Sequence, residues 1–219
     1  MNLNSLAEEI YVVNLSERKD RLESINNQFK AINSTFTRFD AIKGTTGRRP
    51  GTQGNKMSWH KILSQAIDKG QETIAICEDD ACFRRSIVPD IPTLAKLIKE
   101  TDFEILSFHH CCKNESEKGK NNYLERFKEY EDKEPFLIHV SRKPWCNQFL
   151  VLQNLKKWRD HIHSCINTDR SLDNCLTVFK ANCYTTSKEY CFQLDDFSSI
   201  QNRTMKRFSR KSLYKDLIQ

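Results

Sequence analysis

An α/β fold, with a mostly parallel sheet flanked by helices in a single domain, follows from three features of the sequence. Short apolar runs rich in β-branched and aromatic residues alternate with stretches whose apolar residues recur at helical spacing, the pattern of a sheet joined by crossover helices. The chain has 219 residues, 38% hydrophobic and 29% charged, enough for one good-sized core under a well solvated surface. No run approaches the ~18 apolar residues that a membrane span needs.

Residues 10–15, IYVVNL, read as a buried strand. Ser16 is placed to cap the next helix, with Glu17 in its first turn and Leu22, Ile25, Phe29 and Ile32 along one face. TFTRFDAI (35–42) is a second strand and runs into the glycine-rich loop KGTTGRRPGTQGN. Trp59, Ile62, Leu63, Ala66 and Ile67 mark the following helix, which Gly70 closes after Lys69. A strand at 73–77 comes next, then a helix carrying Leu94, Ala95, Leu97 and Ile98, then the strand FEILSF (103–108). The polar stretch 113–134 is expected to be a mobile loop with a short exposed helix. FLIHV (136–140) and QFLVL (148–152) are strands; Leu155, Trp158, Ile162 and Cys165 mark one helix, and Leu172, Leu176 and Phe179 another.

The formal charge is +6, of which +5 lies in residues 201–219. The body of the chain is therefore not a polyanion binder, whereas the basic tail suits anionic lipid, nucleic acid or nothing but solvent. The start MNLNSLAEEIYVV lacks the basic and apolar segments of a signal peptide. Nine cysteines, an odd number with no C-x-x-C pair, fit reduced thiols in a cytoplasmic protein, most of them acting as small buried hydrophobes. HHCC (109–112) is a poor zinc cluster, because adjacent strand residues point to opposite faces. His161, His163 and Cys165 share no helix face either.

The chemistry concentrates in TIAICEDDACF (73–83), where a buried strand runs into three consecutive acids, Glu78, Asp79 and Asp80. In a parallel sheet, ligands bind beyond the carboxyl ends of the strands. Acids there suit a hard divalent cation that keeps open positions for substrate phosphates; a solvated acidic turn or a helix cap is the plainer alternative. Arg18 and Arg21 stand one turn apart after the first strand, either facing a phosphate or paired with Glu17 and Asp20 on an exposed face.

Taken in order, these motifs resemble glycosyltransferase family 25. IYVVNLSERKDRL resembles its opening, with Asn14, Leu15, Arg18, Asp20 and Arg21 on the matched positions. RFDAIKG (38–44) and the helix GTQGNKMSWHKILSQAI, through Gly51, Gly54 and Ser58, resemble the family's second strand and the glycine-containing helix after it. ICEDDACF is similar to the family's LEDDA signature, NTDRSL puts Asp169 on a matched acid, and QLDDFSSIQ (193–201) resembles the closing element. The chain departs from the family at Trp59, where a histidine is usual, and at Asn55, where a cysteine is usual, so no histidine role is carried over.

The resemblance implies a GT-A-like (Rossmann-type) catalytic domain over residues 1–200, followed by the basic tail 201–219. It implies a metal-dependent, inverting hexosyltransferase of lipopolysaccharide biosynthesis, moving galactose or glucose from a nucleotide sugar, a UDP-sugar first, to a glycan of the lipooligosaccharide type. Mn²⁺ or Mg²⁺ would bind at Asp80 with Glu78, and Glu78 or Asp79 would contact the ribose or a metal-bound water. Asn14, Leu15, Arg18, Arg21 and Ser58 would line the donor site. Asp169 is the candidate general base, with a helix cap as its alternative, and Asp196 and Asp195 rank behind it. The rival functions are sugar transfer to a modified DNA base, with the tail on phosphates, and an inactive relative that binds a partner. Contact of the tail with the cytoplasmic face of a membrane belongs to the glycan case.

Overall fold

The computed structural model describes residues 1–45, 50–110, 129–141, 147–193, 196–198, 203–205 and 216–218, with backbone alone at 196–198 and 203–205. Its centre is a seven-stranded sheet. The strands are β1 (Glu9–Asn14), β2 (Thr37–Asp40), β3 (Ile74–Glu78), β5 (Ile105–Ser107), β6 (Leu137–Val140), β7 (Phe149–Leu152) and β8 (Cys183–Thr186), in the order β2-β1-β3-β7-β5-β8-β6. β1 pairs in parallel with β2 and β3, and β5 in parallel with β8. β7 and β6 run against their neighbours, so five of the seven strands share one direction. The α/β, mostly parallel class is the one expected; the reversal of β7 in the middle of the sheet is not.

Alternate residues of each strand feed two cores. Ile10, Val12, Ala75, Cys77 and Val151 meet Ile25 and Phe29 of α1 (Lys19–Ala31) and Ile91, Leu94 and Ile98 of α3 (Ile87–Glu100). On the other face Tyr11, Ile74, Ile76, Leu150 and Leu152 meet Trp59, Ile62 and Leu63 of α2 (Pro50–Asp68). Trp158 and Ile162 of α4 (Leu155–Cys165) and Leu172 and Leu176 of α5 (Leu172–Val178) complete that layer. β3 is buried on both faces except at Glu78, as a central strand must be. Each such aliphatic side chain contributes roughly 1.5–3 kcal/mol by leaving water. Six described cysteines, at 77, 82, 165, 175, 183 and 191, are buried thiols.

Several boundaries differ from the sequence expectation. α1 starts at Lys19 with Arg18 at its N-cap position and no side-chain cap, so Ser16 caps nothing. α2 takes over the second half of the stretch read as a glycine loop. Gly54 lies within that helix because the loop after β2 crosses it so closely that a Cβ would run into the Ile42 carbonyl and the Gly44 nitrogen. Ser58 locks the crossing: its hydroxyl accepts from Ile42 N–H and donates to the Gly54 carbonyl, both at 2.8 Å. Gly70, at φ +73°, ends the helix as expected. Of the stretch 113–134, residues 113–128 lie outside the described residues, as do Cys111, Cys112 and Asp195.

Two short antiparallel ribbons add to the expected elements. β4 (Ala81–Phe83) pairs antiparallel with β9 (Cys191–Gln193), so that Ala81 stands opposite Gln193. Buried Gln28 of α1 fixes this ribbon, its amide donating to the Ala81 carbonyl and accepting from Phe83 N–H. β10 (Asp196–Ser198) pairs with β11 (Arg203–Met205). Asp216–Ile218 return to the body: Ile218 N–H donates to the Phe83 carbonyl, and Asp216 pairs with the buried Arg84 at 3.1 Å.

Candidate active site at the carboxyl edge of the sheet

Asn14, Asp40 and Glu78 end β1, β2 and β3 at one edge of the sheet. Antiparallel β7 begins there, with Phe149 opposite Cys77. The first turns of α1 and α2 open at the same edge, because each comes after a strand that points to it.

The three acids do not stand bare. Arg21 reaches from the first turn of α1 to Asp79 Oδ1 at 2.9 Å and Asp80 Oδ2 at 3.0 Å, with all three side chains 10–12% exposed. Asp79 Oδ2 accepts from Asn14 Nδ2 at 2.8 Å, and Asn14 Oδ1 accepts from Arg38 of β2 at 3.0 Å. Both oxygens of Asp79 are therefore committed within the protein. Burial, and then the neighbouring Asp80, nevertheless hold its carboxyl above the ordinary range against the pull of Arg21 and Asn14. Asp80 differs. Its Oδ2 also accepts from Gln193 at 2.5 Å, whereas Oδ1 is buried with no hydrogen-bond partner among the described residues. Glu78 Oε2 accepts from Gln148 Nε2 at 3.1 Å.

This donor set offers a hard divalent cation one carboxylate oxygen, Asp80 Oδ1. It does not form a cage of protein ligands: among the described residues no group of three or more His, Cys, Asp or Glu converges on one point. A buried carboxylate oxygen without a donor costs about 1–3 kcal/mol or more, a cost that a bound cation would relieve.

The other expected residues divide. Arg18 pairs with its neighbour Asp20 at 2.8 and 3.0 Å while its own side chain is only 16% exposed, and its carbonyl accepts from Asn14 and so shapes the edge. Leu15 is half-buried in the turn between β1 and α1. Ser58 spends its hydroxyl on the loop after β2 and offers none to a ligand. Asp169 is exposed on the turn between α4 and α5, and it does not start a helix; Ser171 caps α5 through Asn174 N–H. α4 runs up beside α2 from the far end of β7, which brings the Asp169 turn to the acid edge. The fully buried Lys56 of α2 holds that turn, its Nζ donating to the carbonyls of Cys165 and Thr168 at 2.7 and 2.6 Å. Asp196 sits on β10, three residues after Gln193, and only its backbone is described.

Arg38, Gln148 and Gln193 join the site without having been chosen from the sequence. Gln193 opens the QLDDFSSIQ element, which offered a signal for it; nothing singled out the other two. His109 lies apart at the end of β5, its Nδ1 between the Cys191 carbonyl at 3.0 Å and Glu189 at 3.2 Å. The His60 and His163 rings meet between α2 and α4, with centroids 5.1 Å apart and planes tilted by 42°.

No helix among the described residues is long and apolar enough to cross a membrane. No curated protein matches the chain. Among solved structures it is similar to the protein A197 from STIV, with 11% identity over 92% of this chain and 94% of the other and a TM-score of 0.45. A second similar structure is a glycosyltransferase involved in the glycosylation of the major capsid of PBCV-1, with 10% identity over 74% and 68% of the two chains and a TM-score of 0.37. Residues 7–62, from β1 to the middle of α2, match glycosyltransferase family 25, described as LPS biosynthesis protein. That match bears out the resemblance read from NLSERKDR and the helix through Ser58, and it supports glycosyl transfer as the general activity.

Proposed function

We propose that the chain transfers a hexose from a UDP-sugar to a glycan hydroxyl, with a divalent cation bound at Asp80. The observation that carries this reading is the asymmetry between two adjacent carboxylates: Asp79 is saturated, while Asp80 keeps a buried oxygen facing no donor among the described residues. The cation, when bound, offsets the charge that develops on the departing diphosphate. Arg21 lies beside it and offers a second positive group to the same phosphates. Asn14, itself held by Arg38, bonds Asp79, which keeps Arg21 aimed at the acids. Asp169, carried on the turn that Lys56 fastens, takes the proton from the acceptor hydroxyl as its oxygen attacks the anomeric carbon and the bond to the β-phosphate breaks. Attack opposite to the leaving group inverts the anomeric centre. Glu78 is held by Gln148 next to the same edge and contacts the ribose or a cation-bound water.

The test is thermal stability with Mn²⁺, with each common nucleotide sugar, and with both together. At ~100 times the dissociation constant the pair should add about 2.7 kcal/mol, and either alone less. A flat response to every nucleotide sugar would leave a binding protein as the better reading. The acceptor is tested with the basic residues 203–215 neutralised in the full chain, comparing binding to anionic vesicles and to duplex DNA; tight DNA binding lost with those charges favours transfer to a DNA base. A shortened chain is unsuitable, because Asp216 and Ile218 pack on the body.

A further inference from the structure

Gln148 stands just ahead of β7 and is 1% exposed. Its backbone carbonyl accepts from Glu78 N–H at 3.0 Å, and its side-chain Nε2 donates to Glu78 Oε2. The carboxylate dictates which way the amide points, since the flipped amide would set oxygen against oxygen. Gln148 Oε1 is thereby turned away from Glu78. It is buried and has no hydrogen-bond partner among the described residues. Asn147, 2% exposed, carries a second buried amide oxygen in the same condition.

Each such oxygen costs about 1–3 kcal/mol while it lacks a donor. The ligand that relieves them must therefore bring hydrogen-bond donors. A diphosphate brings none. A hexose brings several hydroxyls, each a donor, and in a UDP-sugar it is bonded to the phosphate that the cation at Asp80 would hold. We propose that Gln148, with Asn147 beside it, accepts hydrogen bonds from hydroxyls of the transferred sugar and so sets the choice of donor. This rests on the nucleotide-sugar function above and extends it to residues that neither the acid motif nor the family segment 7–62 contains.

The experiment is calorimetric binding in Mn²⁺ of UDP, of UDP-galactose and UDP-glucose, and of the same sugars with one hydroxyl replaced by fluorine, which cannot donate. Wild type should bind its preferred UDP-hexose at least ~10-fold more tightly than one of the fluorinated forms, a loss of about 1.4 kcal/mol. In Gln148→Met, which also frees Glu78, the loss of affinity for the parent sugar should exceed any loss for UDP, and the preference for the parent over that fluorinated form should disappear. Asn147→Leu should do the same for a hydroxyl at another position. An equal loss of UDP and UDP-hexose in Gln148→Met overturns the proposal, and so does an unchanged ratio of parent to fluorinated sugar. A wild type that binds UDP-hexoses normally while the variants keep full discrimination sinks only the role of Gln148 and Asn147. A wild type that binds no UDP-sugar sinks the nucleotide-sugar function itself.

Discussion

Replacing Arg21 with methionine keeps most of the side-chain stem and deletes the guanidinium that bridges Asp79 and Asp80. The three groups are 10–12% exposed and lie 2.9 and 3.0 Å apart, so two nearly buried carboxylates lose their shared counter-charge. Removing one partner of such a buried pair costs ~3–5 kcal/mol. At roughly 2–4 °C per kcal/mol for a chain of this size, the melting temperature should fall by about 6–20 °C at neutral pH. The deficit should depend on pH. The Asp79 carboxyl already sits above its ordinary value of 3.8 through burial and Asp80, and without Arg21 it rises further. A carboxyl raised in the folded state binds its proton more tightly than in the unfolded chain. Its stabilising contribution is complete below the unfolded value and lost as pH rises through the folded one. The gap between wild type and Arg21→Met should therefore narrow on acidification toward about pH 4. Mn²⁺ should also stabilise the variant more than wild type, because the cation replaces the missing charge. Differential scanning fluorimetry from neutral to acid pH, with EDTA and with Mn²⁺, reads all three effects. A deficit below ~1 kcal/mol, or one that does not change with pH, refutes Arg21 as the counter-ion of the acid pair.

Asp80→Asn should abolish transfer and the Mn²⁺-dependent rise in melting, yet leave the metal-free protein no less stable, because an amide still accepts from Arg21 and Gln193 and one of three adjacent charges is gone; equal destabilisation with and without metal in an active variant contradicts this. Asp169→Asn should remove most transfer at unchanged melting temperature and donor affinity, whereas Ser171→Ala, which deletes the true cap of α5, should cost about 1 kcal/mol and leave the chemistry alone. His60 is held below its ordinary 6.5 by burial, then by His163 and Arg159. Its stabilising contribution is present above that value and lost as pH falls through the folded one. His60→Gln should therefore flatten the decline of melting temperature on acidification below about pH 6.5, and an unchanged slope would exclude it.

Much of the layer architecture is legible because strands such as IYVVNL and TIAIC are continuous apolar runs and the helices carry a 3.6-residue period. The direction of a strand leaves no mark on its composition, so the reversal of β7 was not readable. CYTT and CFQ are too short and too polar to declare β8 and β9, although their threonines and cysteines are buried by partners distant in sequence. Gly54 hid the start of α2, since glycine reads as a loop until the crossing backbone that requires it is seen. In the site the acids were visible as a charge anomaly, and Arg21 by its place one turn into a helix. Gln148 and Gln193 are glutamines, whose role depends wholly on what faces them. Lys56 is hidden for the opposite reason, as a lysine is expected at the surface and this one is fully buried among carbonyls.

The reversed strand at the centre also bears on the order in which the protein folds. β1, β2 and β3 with α1 and α2 can assemble from the first third of the chain, but β3 then exposes an unpaired apolar edge until 149–152 have been made and have turned back against it. During that interval the half-built sheet is a template for pairing with another chain. The seam between β3 and β7 is also where Glu78 meets Gln148. The proposed donor site would thus form only after the two halves have joined, and a ligand that fits it should slow the parting of the two halves more than any motion within either.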